Sequence, residues 1–304
     1  MTQRTEQNSI AETAVPEVGT AVLELKHEST LYAEPIAHVG SFPVTNALLT
    51  SFATVLIIIL IAIMIRTKLK EIPKGIQNFF EFVLEGALSL ADQVTNSRKI
   101  SEKVFPLAFS VFLFILVNNW LGLLPIGGLG IVEQGEHGAA FVPFLRSGTA
   151  DINTTVALAI MAVLGANLFG IFSIGIWKTF NKYVNLKALG SIFTQVRKNP
   201  TVLVVAPVTF FVGFLELIGE LAKIASLSFR LFGNIFAGEV LLMAMGAILP
   251  YFLPIPFLFL EIFVGAIQAL IFSILVLVYF TIAAQDHNSH TEHEEEHEHH
   301  AAHV

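Results

Sequence analysis

Long apolar runs alternate with short polar connections along this chain. Val44–Ile65 holds 22 residues without a charge and stops at Arg66, Lys68 and Lys70. At about 1.5 Å per residue that length crosses a hydrocarbon core roughly 30 Å thick. Val104–Leu124, closed by Pro125, predicts a second span, and Ile152–Ile176, closed by Trp177 and Lys178, a third. Apolar character resumes at Thr201 and runs to Ala247, longer than one upright span needs, so a tilted or broken helix is expected. The breaker YFLPIP, Tyr251–Pro256, turns the chain, and Pro256–Ala284 predicts the last helix. There is no internal repeat.

One segment has a different period. Between Glu71 and Asn96, Ile76, Phe79, Phe80, Val83, Ala87, Leu90, Ala91 and Val94 recur at helical spacing, while Gln77, Asn78, Glu81, Glu85 and Asp92 face elsewhere. That pattern predicts an amphipathic helix lying in a membrane interface. A helix packed on other protein would show the same period.

These elements predict an all-α polytopic membrane protein: five membrane-crossing helices plus an interfacial amphipathic helix, with the last two helices long and tilted. The expected divisions are a polar segment 1–43, a first span 44–66, the interfacial helix 71–96, a transmembrane hairpin 104–176, two long helices within 201–284 and a tail 285–304.

Composition agrees. Hydrophobic residues make up 54% of the chain and charged residues 13%, with a mean hydropathy of +0.72. A soluble domain carries about 25% charged residues. The net charge of −7 carries little weight, because six of the acids lie in the last nineteen residues. No basic patch argues for a nucleic-acid partner. The chain has no cysteine, which excludes disulfides. The first forty residues resemble neither a secretory signal nor an arginine-rich transit peptide.

Basic residues predict the orientation. Arg66, Lys68, Lys70, Lys74, Arg98, Lys99, Lys103, Lys178, Lys182, Lys187, Arg197 and Lys198 fall in connections on one side; Arg4, Lys26 and Arg146 fall on the other. Twelve against three places the first group in the cytoplasm, with the N-terminus outside and the C-terminus inside.

Two cations remain inside the long apolar segment, Lys223 and Arg230, accompanied by Glu216, Glu220 and Glu239, with Glu261 in the last helix. An arginine at mid-membrane costs about 2.5–3.5 kcal/mol on insertion scales. Arg230 is too central in its segment for its head to reach the headgroups easily. At about 100° per residue, Glu216, Lys223, Ser226, Arg230 and Asn234 lie within about 40° of one another, one polar stripe. Glu239, nine positions beyond Arg230, falls on the opposite face about 13.5 Å along the axis, so the two are not expected to pair. Glu261 and Gln268 share a face of the last helix. Intramembrane ionisable groups mark ion paths by default; the alternative is an interhelical network that only fixes packing. Glu239 and Glu261 are two carboxylates that could share a proton. Gly233 and Gly238 permit close helix approach, while Asn118, Asn119, Asn153 and Asn167 are expected to be interhelical hydrogen-bonders, the alternative being that they line a hydrated cavity.

At RLFGNIFAGE, Arg230–Glu239, the chain resembles subunit a of the F-type ATP synthases, bacterial type. The resemblance runs from about Phe42 to His287. It rests on Ser226, Arg230, Asn234 and Glu239 at their spacings, Gln268 within IQALIFSILVLVYF, TADIN (Thr149–Asn153) and NNWLGLLP (Asn118–Pro125). It implies a multi-pass plasma-membrane subunit with no catalytic chemistry of its own, carrying ions past a rotating c-ring and held by peripheral-stalk b-type subunits and membrane lipid. It implies no cofactor. By the same resemblance Arg230 faces the ring carboxylates, Glu239, Gln268 and Asn234 belong to ion access, and Glu216 and Lys223 match recurrent positions. Two features depart from the family. Glu261 stands where some bacterial relatives carry histidine, and Lys223-Ile224 replaces a common Lys-Pro step. A secondary transporter is the alternative, but it would show internal repeats and paired broken helices. The seven histidines between His287 and His303 read as a solvated tail, with no spacing that fixes a metal geometry.

Overall fold

The computed structural model describes residues 32–67, 75–124, 130–135, 138–176, 179 and 202–284. The expectations placed on the residues before Tyr32, on Lys68, Lys70 and Lys74, on most of the connection before Thr201 and on the histidine-rich tail fall outside these residues.

Among the described residues six α-helices make the body: α1 Asn46–Thr67, α2 Ile76–Thr95, α3 Arg98–Leu123, α4 Ile152–Ile174, α5 Val202–Ile248 and α6 Pro254–Ala284. All but α2 are long and apolar enough to cross a membrane, over Asn46–Thr67, Arg98–Leu123, Ile152–Ile174, Phe211–Ile248 and Pro254–Ala284. The protein is an all-α polytopic membrane protein. α5 is one unbroken helix of 47 residues, with Pro207 confined to its first two turns. At 1.5 Å per residue it is about 70 Å long, more than twice a bilayer core, so it must lie oblique to a membrane or project from it.

Two short hairpins join this frame: β1 Pro35–Val39 with β2 Phe42–Thr45, and β3 Gly130–Gly135 with β4 Gly138–Pro143, both antiparallel. The hydrophobic pattern did not announce either. Each is a connection that satisfies its own backbone groups, which needs no long alternation of side chains. Gly40 takes φ +66° at the first turn, open to glycine without strain. β2 runs straight into α1, where the Asn46 amide donates to the Glu34 carbonyl at 3.0 Å.

The core is shared by α3, α4, α5 and α6. Val104, Ala108, Val111 and Ile115 meet Ala159, Ala162, Val163 and Ala166 of α4, Leu227 and Leu231 of α5, and Phe272, Val276, Leu277 and Phe280 of α6. Lipid is as apolar as these side chains, so close packing rather than expulsion of water must hold the helices together. α4 supplies the small partners. Ala159, Ala162, Ala166 and Gly170 recur at helical spacing and are buried, and a Cβ on Gly170 would lie 2.7 Å from the Ala283 carbonyl oxygen. Large α6 rings fill the space that α4 leaves, with Phe280 against Phe169 at 5.5 Å between centroids.

Polar side chains fasten the end where α3 gives way to α4. Asn118 donates to Ser51 of α1 at 3.2 Å and accepts from the Gly148 amide at 2.6 Å. Asn119 donates to the Gly265 carbonyl of α6 at 3.2 Å and accepts from Thr149 and, at 3.4 Å, from Ser147. Asp151 caps α4 by accepting from the Asn153 and Thr154 amides. Asn153 was expected to bond another helix; instead its side chain donates to Asp151 two residues back, because a side chain in a first helical turn lies beside its own cap.

At the other end, α2 lies along α3 and α6, placing Ala91 in the core with Leu88 and Val94 against it. Asp92, Arg98 and Glu102 tie the α2–α3 corner, with Arg98 donating at 2.7 Å and 2.9 Å.

Candidate functional site

α5 carries nearly all the sequence-derived candidates, and the bundle sorts them by face. Arg230 is exposed and donates to Ser226, also exposed, at 3.4 Å. Asn234 is exposed one turn further on. Around this stripe α5 shows small residues: Ala222, Ala225 and Ala237 are exposed, and nothing stands within 4 Å of where a Cβ would be at Gly219 or Gly233. The guanidinium therefore sits on an open, low-relief flank of the bundle. The opposite flank of α5 buries Leu227, Ser228, Leu231 and Ile235.

Asn234 joins the two long helices by donating to Gln268 Oε1 at 2.8 Å. Gln268 is buried in α6, and its own amide nitrogen has no partner. The stripe thus has an inward continuation at the level of Arg230.

Nine residues toward the C-terminal end of α5, Glu239 points to the other face, as the helical period requires. It meets Arg146, from the segment between β4 and α4. Arg146 Nε lies 2.9 Å from Glu239 Oε1, and Nε and Nη2 each donate to Oε2 at 3.1 Å. Arg146 is itself buried, 4% exposed, and anchored: its amide donates to Thr50 Oγ1 at 3.2 Å and its Nη1 to the Tyr32 carbonyl at 3.0 Å. Glu261 approaches from α6. It is buried, its Oε1 has no hydrogen-bond partner, and its carboxyl occupies the space a side chain at Gly238 would fill. Arg146, Glu239 and Glu261 line one cavity of about 310 Å³, whose wall also includes Asn119 and Ser147.

A second polar cluster lies on the N-terminal side of Arg230. Lys223 pairs with Glu220 at 2.8 Å and sits 5.3 Å from the centre of the Tyr279 ring, while Asn167 of α4 donates to Glu220 Oε2 at 3.4 Å. Glu216, one turn earlier, is half-buried. Among the described residues no three or more His, Cys, Asp or Glu side chains gather as a metal site would need.

Comparison with known proteins decides the family. The model of the family described as ATP synthase A chain matches residues 48–281. This chain belongs to the ATP synthase subunit a family. Two relatives named ATP synthase subunit a, from Mycobacterium bovis (strain ATCC BAA-935 / AF2122/97) and Mycobacterium tuberculosis (strain CDC 1551 / Oshkosh), are 34% identical over 253 residues, which is 81% of this chain and 89% of theirs. A third of the same name, from Mycobacterium ulcerans (strain Agy99), is 32% identical over the same coverage.

As a member of the subunit a family, the chain is a non-catalytic membrane component of the proton-translocating ATP synthase. Within this family assignment, the structure divides the sequence-derived residues into three groups. Ser226, Arg230, Asn234 and Gln268 fall together at mid-helix; Glu239 and Glu261 share a cavity toward one end; Glu216, Glu220 and Lys223 lie toward the other. In the sequence Arg146 reads only as a loop cation. A single basic residue in an otherwise apolar approach, FVPFLR, was the available signal. Asn119, Asn167 and Tyr279 joined these clusters only through chain folding, since their partners there are 28 or more residues away.

Proposed function

We propose that this subunit a carries protons past a c-ring through two half-paths that meet the ring at Arg230 but do not meet each other. The observation that carries this reading is the exposed guanidinium of Arg230 on a flank of small residues, midway between two inward-facing polar clusters. Along α5, Glu239 lies about 13.5 Å from Arg230 in one direction and Glu220 about 15 Å in the other. The cavity of Arg146, Glu239 and Glu261 serves one half-path, and the cluster of Glu216, Glu220, Lys223, Asn167 and Tyr279 serves the other. Asn234 and Gln268 lead from the first toward the ring.

The physics follows from the arginine. A guanidinium keeps its proton under any physiological condition, so it cannot act as a relay. Standing between the half-paths it repels a cation that would cross directly. A ring carboxylate arriving beside it is favoured in the ionised form, so it gives up its proton on one side and takes another on the other. Each charge moved through the field releases about 2.3 kcal/mol per 100 mV. An offset between the two half-paths turns that release into rotation. Small residues around Arg230 let a ring helix approach closely.

Five apolar helices and the family support a multi-pass placement in the plasma membrane, and the distribution of basic residues supports an N-terminus outside and a C-terminus in the cytoplasm. The Glu239 cavity then opens toward the outside. Apart from the c-ring, b-type stalk subunits and lipid are the partners that cover the apolar flanks of α1 and α4.

The test is Arg230→Lys in the purified ATP synthase. The expected result is an assembled complex whose ATP-driven proton pumping falls at least tenfold, because a lysine can lose its proton where an arginine cannot. Normal pumping by that assembled complex overturns the proposal and leaves the subunit an assembly component.

A further inference from the structure

The cavity at the Glu239 end holds two carboxylates in unlike surroundings. Glu239 is gripped through both oxygens by Arg146 at 2.9–3.1 Å. Arg146 cannot swing away readily, because its backbone is tied to Thr50 and its remaining nitrogen to the Tyr32 carbonyl. Glu261 has no such partner. Its Oε1 is buried and unbonded, and Gly238 leaves room for the carboxyl without offering it a donor side chain. Among the described residues lining this cavity, Arg146, Glu239 and Glu261 are the ionisable ones; α3 contributes Asn119 and Gly122, and the segment before α4 contributes Ser147.

A carboxylate that is only partly buried, as Glu239 is, and is held by a bidentate arginine can remain an anion. A buried carboxylate without a counter-charge pays for ionisation each time it ionises, and so exchanges a proton instead. We propose that Arg146 is a positioning residue that locks Glu239 as a fixed anion, so that Glu261 alone takes up and hands on the proton in this cavity. This rests on the half-path reading above and adds a division of roles within it. The step balances simply: a proton from water in the cavity binds a Glu261 carboxylate oxygen, then leaves that oxygen for the next acceptor toward the ring, and no other bond changes. The locked pair contributes zero net charge, so the affinity of Glu261 for its proton depends on the pair staying intact.

The experiment measures ATP synthesis by the purified complex in liposomes at a fixed diffusion potential, against the pH of the compartment on the cavity side. Arg146→Gln leaves Glu239 as a bare second carboxylate, and the midpoint of the rate–pH curve moves up by about one unit. Glu239→Gln takes a negative charge from beside Glu261 and leaves the Arg146 cation in place, and the midpoint moves down by about one unit. The double variant removes both charges and returns to the wild-type midpoint at reduced rate. Arg146→Lys, which keeps the positive charge, stays near the wild-type midpoint. Glu261→Gln loses at least tenfold in rate at every pH. A merely structural role for Arg146 would lower rates without shifts of opposite sign.

Shifts in the same direction, or a double variant that keeps the shift of either single one, overturn the proposal. So does a Glu261→Gln complex that retains the wild-type rate and midpoint. Should Arg146→Gln fail to assemble, the Glu239→Gln and double variants still decide it. Arg230→Lys in the same assay separates the two claims. Loss of synthesis there with unmoved midpoints sinks only the role of Arg146, whereas normal synthesis there sinks the half-path reading itself.

Discussion

The carboxyl of Glu261 on α6 lies where a side chain on Gly238 of α5 would have to go. The absence of a Cβ at one position of one helix therefore sets the placement of an ionisable group on another. Tight helix packing and ion access meet at this contact, which explains why a glycine stands one residue before Glu239.

Gly238→Ala tests that relationship. A methyl group must push the Glu261 carboxyl out of its seat or part the helices, and overpacking of this kind costs about 1–3 kcal/mol. The expected outcome is an assembled complex with proton pumping reduced at least tenfold. Gly86→Ala on α2, where nothing stands within 4 Å of the added carbon, is the control and keeps wild-type pumping.

Asn119 fastens three parts of the chain at once: α3, the Ser147–Thr149 segment and the Gly265 carbonyl of α6. Replacing it by leucine orphans buried groups, at about 1–3 kcal/mol each. Thermal unfolding of the purified complex should show a lower midpoint for Asn119→Leu. A larger loss than for Ser147→Ala is expected, because the serine gives up only one of those links.

Gly170→Ala probes close approach away from any ion path. The new carbon would lie 2.7 Å from a backbone oxygen of Ala283, which cannot rotate aside as a side chain can. Destabilisation of about 1–3 kcal/mol is expected, visible as lower yield of assembled complex. An unchanged yield and melting temperature would show that α4 and α6 have slack there.

Asp151→Ala removes the cap of α4, where the carboxylate accepts from the Asn153 and Thr154 amides at 3.4 and 3.3 Å. Loss of such a cap costs about 0.5–2 kcal/mol. Asp151→Asn retains an acceptor and should recover most of that stability in the same melting assay, which distinguishes capping from any need for negative charge.

Hydrophobic runs, helix breakers and charge placement determined five spans, an amphipathic helix and a cation stranded at mid-segment, because each is written in consecutive residues at a fixed helical period. That same period put Arg230 and Glu239 on opposite faces before any fold was known, and the structure turns one outward and the other inward. Tertiary structure alone decided what Glu239 faces. Arg146 is 93 residues away in sequence, and no local pattern encodes an encounter between a loop and a helix over that separation. The two hairpins were also out of reach, since strands of four to six residues carry too little alternation to read. Likewise the unbonded oxygen of Glu261 and the seat opened by Gly238 exist only once α5 and α6 have packed, because both depend on the distance between helices rather than on the order of residues within either.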